Sequence, residues 1–154
     1  MTVIYRQVEV VVTVQTTSYG SNRTLHAEAS FPSPDLTREW QVDYVTLQIF
    51  TAGSGSNFAV LFYRGSTSIG INEAAFPNTI VDAGGLRADG QVRLLIADNI
   101  TSNSSESRIY SVTPPRRVSI SSENGVYKFQ TFTSTAITLT TTTVKFVIGL
   151  VSGG

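Results

Sequence analysis

Apolar and polar residues alternate with a period of two along most of this 154-residue chain. In the stretch VEVVVTV, Val8, Val10, Val12 and Val14 share one parity, whereas Glu9 belongs to the other. Successive side chains of a β-strand point to opposite faces, so this spacing predicts a strand with one buried face. Six further runs resemble it and are separated by turn signals such as AGSGSN, ADG, TPP and ENG: REWQVDYVTLQIF, NFAVLFYRG, QVRLLIAD, RIYSV, RRVSIS and GVYKFQTFT.

Eight to ten such strands without alternating helices predict an all-β, antiparallel β-sandwich. A single jelly roll is the favoured form, because the strands are long and their connections are uneven in length. We expect one domain over residues 1–154, since a chain of this length fits one core. The pattern allows a helical turn only at INEAAF (71–76), and it predicts an exposed polar loop at DNITSNSSES (98–107).

Two stretches depart from simple alternation. In REWQVDYVTLQIF, Trp40 and Val42 lie on one parity and Val45 and Leu47 on the other, which predicts a strand covered on both sides or carrying a bulge. In the C-terminal stretch TAITLTTTTVKFVIGLVSGG, the apolar parity changes within residues 140–143, which predicts a bulge or a crossing between sheets.

The C-terminal threonine-rich stretch has two interpretations. It is either the β-branched surface of a final strand or an edge that pairs with another subunit, because monomers usually protect a free edge with charge. Two consecutive arginines after the double proline of TPPRRVS either bind a carboxylate on a neighbouring subunit or a phosphate, or simply begin a solvated strand. The candidate subunit interface therefore comprises Thr140, Thr142, Val144, Phe146, Ile148, Arg116 and Arg117.

Composition narrows the function classes. Only 14% of residues are charged, and polarity comes mainly from 20 threonines and 18 serines. Lys and Arg together equal Asp and Glu at 11 each, so no global field attracts nucleic acid. With no cysteine and one histidine, we expect no metal site and no cofactor. Asp82, Asp89 and Asp98 lack calcium-loop spacing and fit turn positions better.

The strongest catalytic candidate is the pair His26 and Glu28 in RTLHAEAS. On a strand these two side chains would share one face, with Leu25, Ala27 and Ala29 facing inward, as a base and its orienting carboxylate could. No serine lies in a nucleophile-elbow motif, so we expect no enzyme activity. Carbohydrate or receptor binding is the alternative function, with Tyr19 and Tyr63 as the aromatic platform for a glycan.

A cysteine-free, Ser/Thr-rich, nearly neutral all-β chain that begins on VIYRQVEVVVTV and closes on VKFVIGLV resembles the single jelly-roll structural proteins of viruses and bacteriophages. The resemblance covers the whole chain as a pattern and contains no diagnostic motif. It implies a capsid, cement or decoration subunit in the virion that assembles with copies of itself and other virion proteins. The basic N-terminal arm of many such coats is missing, since Arg6 is the only cation in the first fifteen residues.

Segments that would direct the chain elsewhere are not apparent in the sequence. Charged residues interrupt the apolar stretch after Met1, so we expect no signal peptide. No run of apolar residues reaches the length of a membrane span.

Overall fold

The computed structural model describes residues 2–16, 18–21, 23–52, 55–64, 87–95, 98 and 107–153. The helical turn expected at 71–76 and the acidic residue Asp82 lie outside these residues, as does nearly all of the expected loop at 98–107. Twelve strands are described, all paired antiparallel: β1 (Ile4–Thr13), β2 (Ser18–Tyr19), β3 (Arg23–Thr24), β4 (Ala29–Pro32), β5 (Trp40–Ala52), β6 (Phe58–Arg64), β7 (Arg87–Leu94), β8 (Ser107–Val112), β9 (Val118–Ile120), β10 (Val126–Thr133), β11 (Ile137–Leu139) and β12 (Thr143–Ser152).

The strands form two sheets whose order confirms the predicted jelly roll. In the first sheet the order is β1, β12, β5 and β8, with β2, β11 and β9 continuing the lines of β1, β12 and β8. In the second sheet the order is β4, β10, β6 and β7, with β3 continuing the line of β4. The chain visits the two sheets alternately, apart from the β6 to β7 connection, which gives the two Greek keys of a jelly roll.

The twelve strands occupy only eight positions in the sandwich because several positions are interrupted. The strand count therefore exceeds the expected eight to ten, although the architecture is the predicted one. One hairpin turn follows the sequence signal directly: Asn124 and Gly125 both have positive φ, at 55° and 79°, between the bridged residues Glu123 and Val126. This is the asparagine-glycine turn that a two-residue hairpin favours.

The bulge in β5 explains why its apolar residues change parity. Gly149 of β12 lies opposite Tyr44, whereas Leu150 lies opposite Val42, which leaves Asp43 as an extra residue on β5. Trp40 and Val42 are buried before the bulge, and Val45, Leu47 and Ile49 are buried after it. One extra residue turns the following side chains to the opposite face, so both halves of the strand face the core.

The parity change in the C-terminal stretch has a similar cause. Both β11 and β12 pair with the same edge of β5, and the chain leaves regular strand geometry between them at residues 140–142. Leu139 and Val144 are therefore both buried, although they differ in parity. The shift is an irregularity within one sheet and not a crossing between sheets.

Aromatic rings fill the space between the two sheets. Phe129 of β10 contacts Phe146 of β12 with ring centroids 5.2 Å apart and an interplanar angle of 72°. The same ring lies 5.9 Å from Phe62 and 6.1 Å from Phe31. Phe129 thus joins both sheets, and edge-to-face pairs of this kind add stability beyond the apolar area that they bury.

Candidate assembly surface

The structure corrects the expectation that β12 is a free edge. β12 pairs with β1 along one side and with β5 along the other, so its main-chain groups are satisfied within the chain. Val144, Phe146 and Ile148 are 2%, 0% and 0% exposed and face the core. These three side chains cannot contact another subunit while the fold is intact.

The two threonines of the candidate interface lie at the surface where β11 gives way to β12. Thr140 and Thr142 are both exposed. The N–H of Thr140 donates to the carbonyl oxygen of Phe50, and the carbonyl of Thr142 accepts from Val14 N–H. Their main-chain bonds belong to the fold, whereas their side chains remain available for the contact that the sequence predicts.

Arg116 and Arg117 are exposed just before β9, which fits the interpretation of a solvated strand start. The Nε of Arg117 donates to Oδ1 of Asp43 at 3.2 Å, so its ionic partner comes from the bulge of β5. A surface pair of this kind contributes about 0–1 kcal/mol. The intramolecular pair gives Arg117 a role that needs no second subunit.

The aromatic residues of the carbohydrate alternative are not on the surface. Tyr19 is 0% exposed, and its hydroxyl donates to the carbonyl of Leu25. Tyr63 is 1% exposed, and its hydroxyl donates to Oε2 of Glu28 at 3.0 Å. Burial first, and the Glu28 carboxylate second, raise the pKa of Tyr63. Neither ring offers a face for a sugar, so these residues do not support glycan binding.

His26 and Glu28 do not form the pair considered from the sequence. His26 is buried, with Nδ1 donating to the Ala27 carbonyl at 2.6 Å and Nε2 accepting from Thr131 Oγ1 at 2.9 Å. Glu28 is exposed and accepts from Tyr63. Residues 25–28 lie between β3 and β4, so strict alternation does not apply to them. Burial lowers the pKa of His26 from 6.5 to about 4, which keeps the ring neutral.

The exposed edge of the first sheet is β1. This ten-residue strand pairs with β12 along its whole length, and no strand among the described residues pairs with its other side. Tyr5 and Val11 are each 60% exposed, and Val3 just before the strand is 40% exposed. Tyr5 and Val11 are the apolar members of an otherwise polar parity, a signal in the sequence that the search for an interface overlooked.

The opposite face of β1 is incompletely covered as well. Ile4, Val8 and Val10 point toward the core but are only half-buried. The strand of the second sheet that packs beside them, β4, is only four residues long. β1 therefore presents apolar side chains on both faces next to a row of unpaired main-chain groups.

A groove of about 770 Å³ lies at one end of the sandwich, between the 36–41 segment and residues 117–122. Its arginines are engaged locally, since Arg38 pairs with Asp35 at 3.4 Å and Arg117 pairs with Asp43 at 3.2 Å. The remaining polar lining comes largely from serine hydroxyls of the 119–122 segment. This groove offers no convergent charge for a specific ligand.

No described helix is long and apolar enough to cross a membrane. Within the same residues, no group of three or more histidine, aspartate or glutamate side chains is placed to hold a metal ion.

Comparison with known proteins yields structural neighbours only. No family model and no curated protein matches the sequence. Among solved structures, the chain is similar to VP2 of infectious bursal disease virus in its subviral particle (TM-score 0.37, 9% identity, 96% of this chain and 41% of that chain), and the chain thus spans less than half the length of that protein. It is also similar to cocksfoot mottle virus (TM-score 0.29, 9% identity, 97% and 84%) and Israeli acute paralysis virus (TM-score 0.31, 7% identity, 99% and 72%). Similarity at this level assigns neither a family nor a function.

Proposed function

We propose that this protein is a non-enzymatic structural subunit of a virus particle, in a capsid, cement or decoration role. It resides in the virion and assembles with copies of itself and with other virion proteins, without direct contact with nucleic acid. The proposal rests on one observation above the others: the jelly roll leaves β1 as a long, apolar strand paired on one side only. The fold alone does not choose, because jelly rolls also serve as lectins and cupins.

The chemistry of β1 is that of an assembly edge. Soluble monomers commonly protect an edge strand with lysine, proline or a bulge, because its free N–H and C=O groups template pairing with another chain. β1 contains no proline and no lysine, and its register with β12 runs without a shift from Ile4 to Thr13. Covering Tyr5 and Val11 removes apolar surface from water, which favours association.

We expect the Tyr5→Lys, Val11→Lys double variant to associate more weakly than the unmodified chain. Each lysine replaces an exposed apolar side chain with a charge that must be desolvated on contact, so the dissociation constant should rise at least roughly tenfold. Light scattering over a concentration series measures the effect. The unmodified chain should show masses above the 16.6 kDa of one chain, and the variant should approach that value.

The matched control is Leu36→Lys. Leu36 is 74% exposed and lies in the turn after β4, away from the edge of β1, so this change adds charge at an equally accessible apolar site. The control should assemble as the unmodified chain does. Equal weakening by the control and the double variant, or a strictly monomeric unmodified chain in the presence of other virion components, would contradict the proposal.

The assembly should also survive high salt. Contacts made by apolar side chains and main-chain hydrogen bonds are screened little, whereas about 1 M salt shortens the reach of exposed charges to about 3 Å. We expect the light-scattering mass to be unchanged by that addition. Dissociation in salt would indicate that ion pairs, and not the edge of β1, hold the subunits together.

A further inference from the structure

We propose that two copies of this chain pair through β1 in an antiparallel arrangement about a two-fold axis at Val8, with Tyr5 of one chain opposite Val11 of the other. The inference rests on the proposed assembly function, for which it names the partner surface. Pairing would extend the first sheet across both subunits. A two-fold contact needs a surface that is complementary to itself, and β1 meets that condition in both its main chain and its side chains.

The main chain determines which residues can bond across the edge. Val14 N–H donates to the Thr142 carbonyl at 2.8 Å, at a position that continues the register of β1 with β12. In an antiparallel ladder such bonded pairs recur at every second residue, so the even-numbered residues of β1 bond to β12. The N–H and C=O groups of odd-numbered residues therefore point to the free side. The odd-numbered residues of the strand are Tyr5, Gln7, Glu9, Val11 and Thr13.

One exposed hydrogen bond supports this orientation. Nη1 of Arg6 donates to the carbonyl oxygen of Tyr5 at 3.0 Å, as it can only if that carbonyl faces away from β12. The contact does not block pairing, because a carbonyl oxygen has two lone pairs and can accept a second N–H from a partner strand.

Side-chain chemistry then selects among the registers. Odd-numbered residues must lie opposite odd-numbered residues, so the axis of a well-overlapped pair passes through residue 7, 8 or 9. An axis at Glu9 places two carboxylates directly opposite each other, which is unfavourable. An axis at Gln7 places Tyr5 opposite Glu9. An axis at Val8 pairs Tyr5 with the partner's Val11, an aromatic and β-branched combination that stabilises sheets.

The Val8 register also satisfies the polar residues between the apolar pairs. It places Gln7 opposite Glu9 of the partner subunit. Oε1 of Gln7 accepts from the Tyr44 hydroxyl at 2.9 Å, which leaves its amide N–H groups as donors. Glu9 forms an ion pair with Lys145 at 2.9 Å through Oε1, and its second carboxylate oxygen can accept from the partner's Gln7.

Single-cysteine variants test the pairing and its register, because the chain contains no cysteine of its own. Directly opposite residues of a non-hydrogen-bonded pair have Cα atoms about 4.5 Å apart, within the roughly 4.4–6.8 Å that a disulfide spans. Val8→Cys should form disulfide-linked dimers under mild oxidation at least roughly tenfold faster than Leu36→Cys, because pairing raises the effective thiol concentration. Gln7→Cys and Glu9→Cys should react no faster than Leu36→Cys.

A second experiment does not depend on a substitution at the half-buried Val8. Tyr5→Cys and Val11→Cys alter only exposed side chains, so both variants should fold normally. An equimolar mixture should yield the mixed disulfide in preference to either homodimer. Fastest reaction at residue 7 or 9, or a random distribution of products in the mixture, would overturn the register. Crosslinking at every β1 position that is no faster than at Leu36→Cys would overturn the pairing itself.

Light scattering on the same samples separates this inference from the proposed function. Masses above a dimer without crosslinking at β1 would overturn the β1 pairing and leave the assembly function supported through another surface. Crosslinking at Val8→Cys in a protein that never exceeds a dimer, even with virion components, would support the pairing and count against the virion role.

Discussion

Replacing Phe129 with alanine is expected to lower the free energy of unfolding by about 3–5 kcal/mol. The Phe129 ring is fully buried and lies between the sheets, where it contacts the rings of Phe146 and His26 at 5.2 Å and 5.6 Å. Truncation removes both the transfer free energy of the ring and its contacts, and the rigid strands around it can close the cavity only in part. Urea denaturation measures the effect as a lower midpoint at an unchanged slope.

Tyr5→Ala is the matched control, since it removes a ring that is 60% exposed. We expect that change to alter the free energy of unfolding of the monomer by no more than about 0.5 kcal/mol. A loss below about 1 kcal/mol for Phe129→Ala would mean that the two sheets do not share one core at this ring.

Stability should also fall as the pH is lowered from 6.5 to 4, because of His26. Burial lowers the pKa of this histidine to about 4, while in the unfolded chain it keeps its ordinary value of 6.5. Between these values the unfolded state binds a proton that the folded state does not, so protons favour unfolding. At about 1.4 kcal/mol per pH unit, the free energy of unfolding should fall by roughly 3 kcal/mol over this range and remain unaffected by His26 above it.

The comparison with His26→Gln isolates the histidine from the carboxyl groups. Bonds from Thr37 lower the pKa of Asp35, which destabilises the fold in acid, whereas burial raises the pKa of Asp89, which acts in the opposite direction. Both effects persist in the variant. We expect the variant to be less stable at pH 7 but to show a shallower fall between pH 6.5 and 4 in urea denaturation at stepped pH. An equally steep fall would show that His26 is not the group responsible.

The candidate site illustrates where a local pattern fails. Tyr19 and Tyr63 were considered as exposed aromatics because a tyrosine suits both a core and a binding surface. Their burial depends on distant partners for their hydroxyls, namely the Leu25 carbonyl and the Glu28 carboxylate. His26 was placed on a solvent face because its segment was assumed to be a strand. The bends at residues 25–27 turn its ring between the sheets instead.

The sequence by itself determined the all-β class, the turns and the buried face of most strands, because burial on one side of a pleated strand leaves a period-two pattern. It also located the parity changes near Asp43 and at residues 140–143. Only the tertiary structure decided that β1 forms the edge while β12 lies inside the sheet. The pattern along a strand records which face meets the core, but its hydrogen-bonded neighbours are set by pairing between residues far apart in the chain.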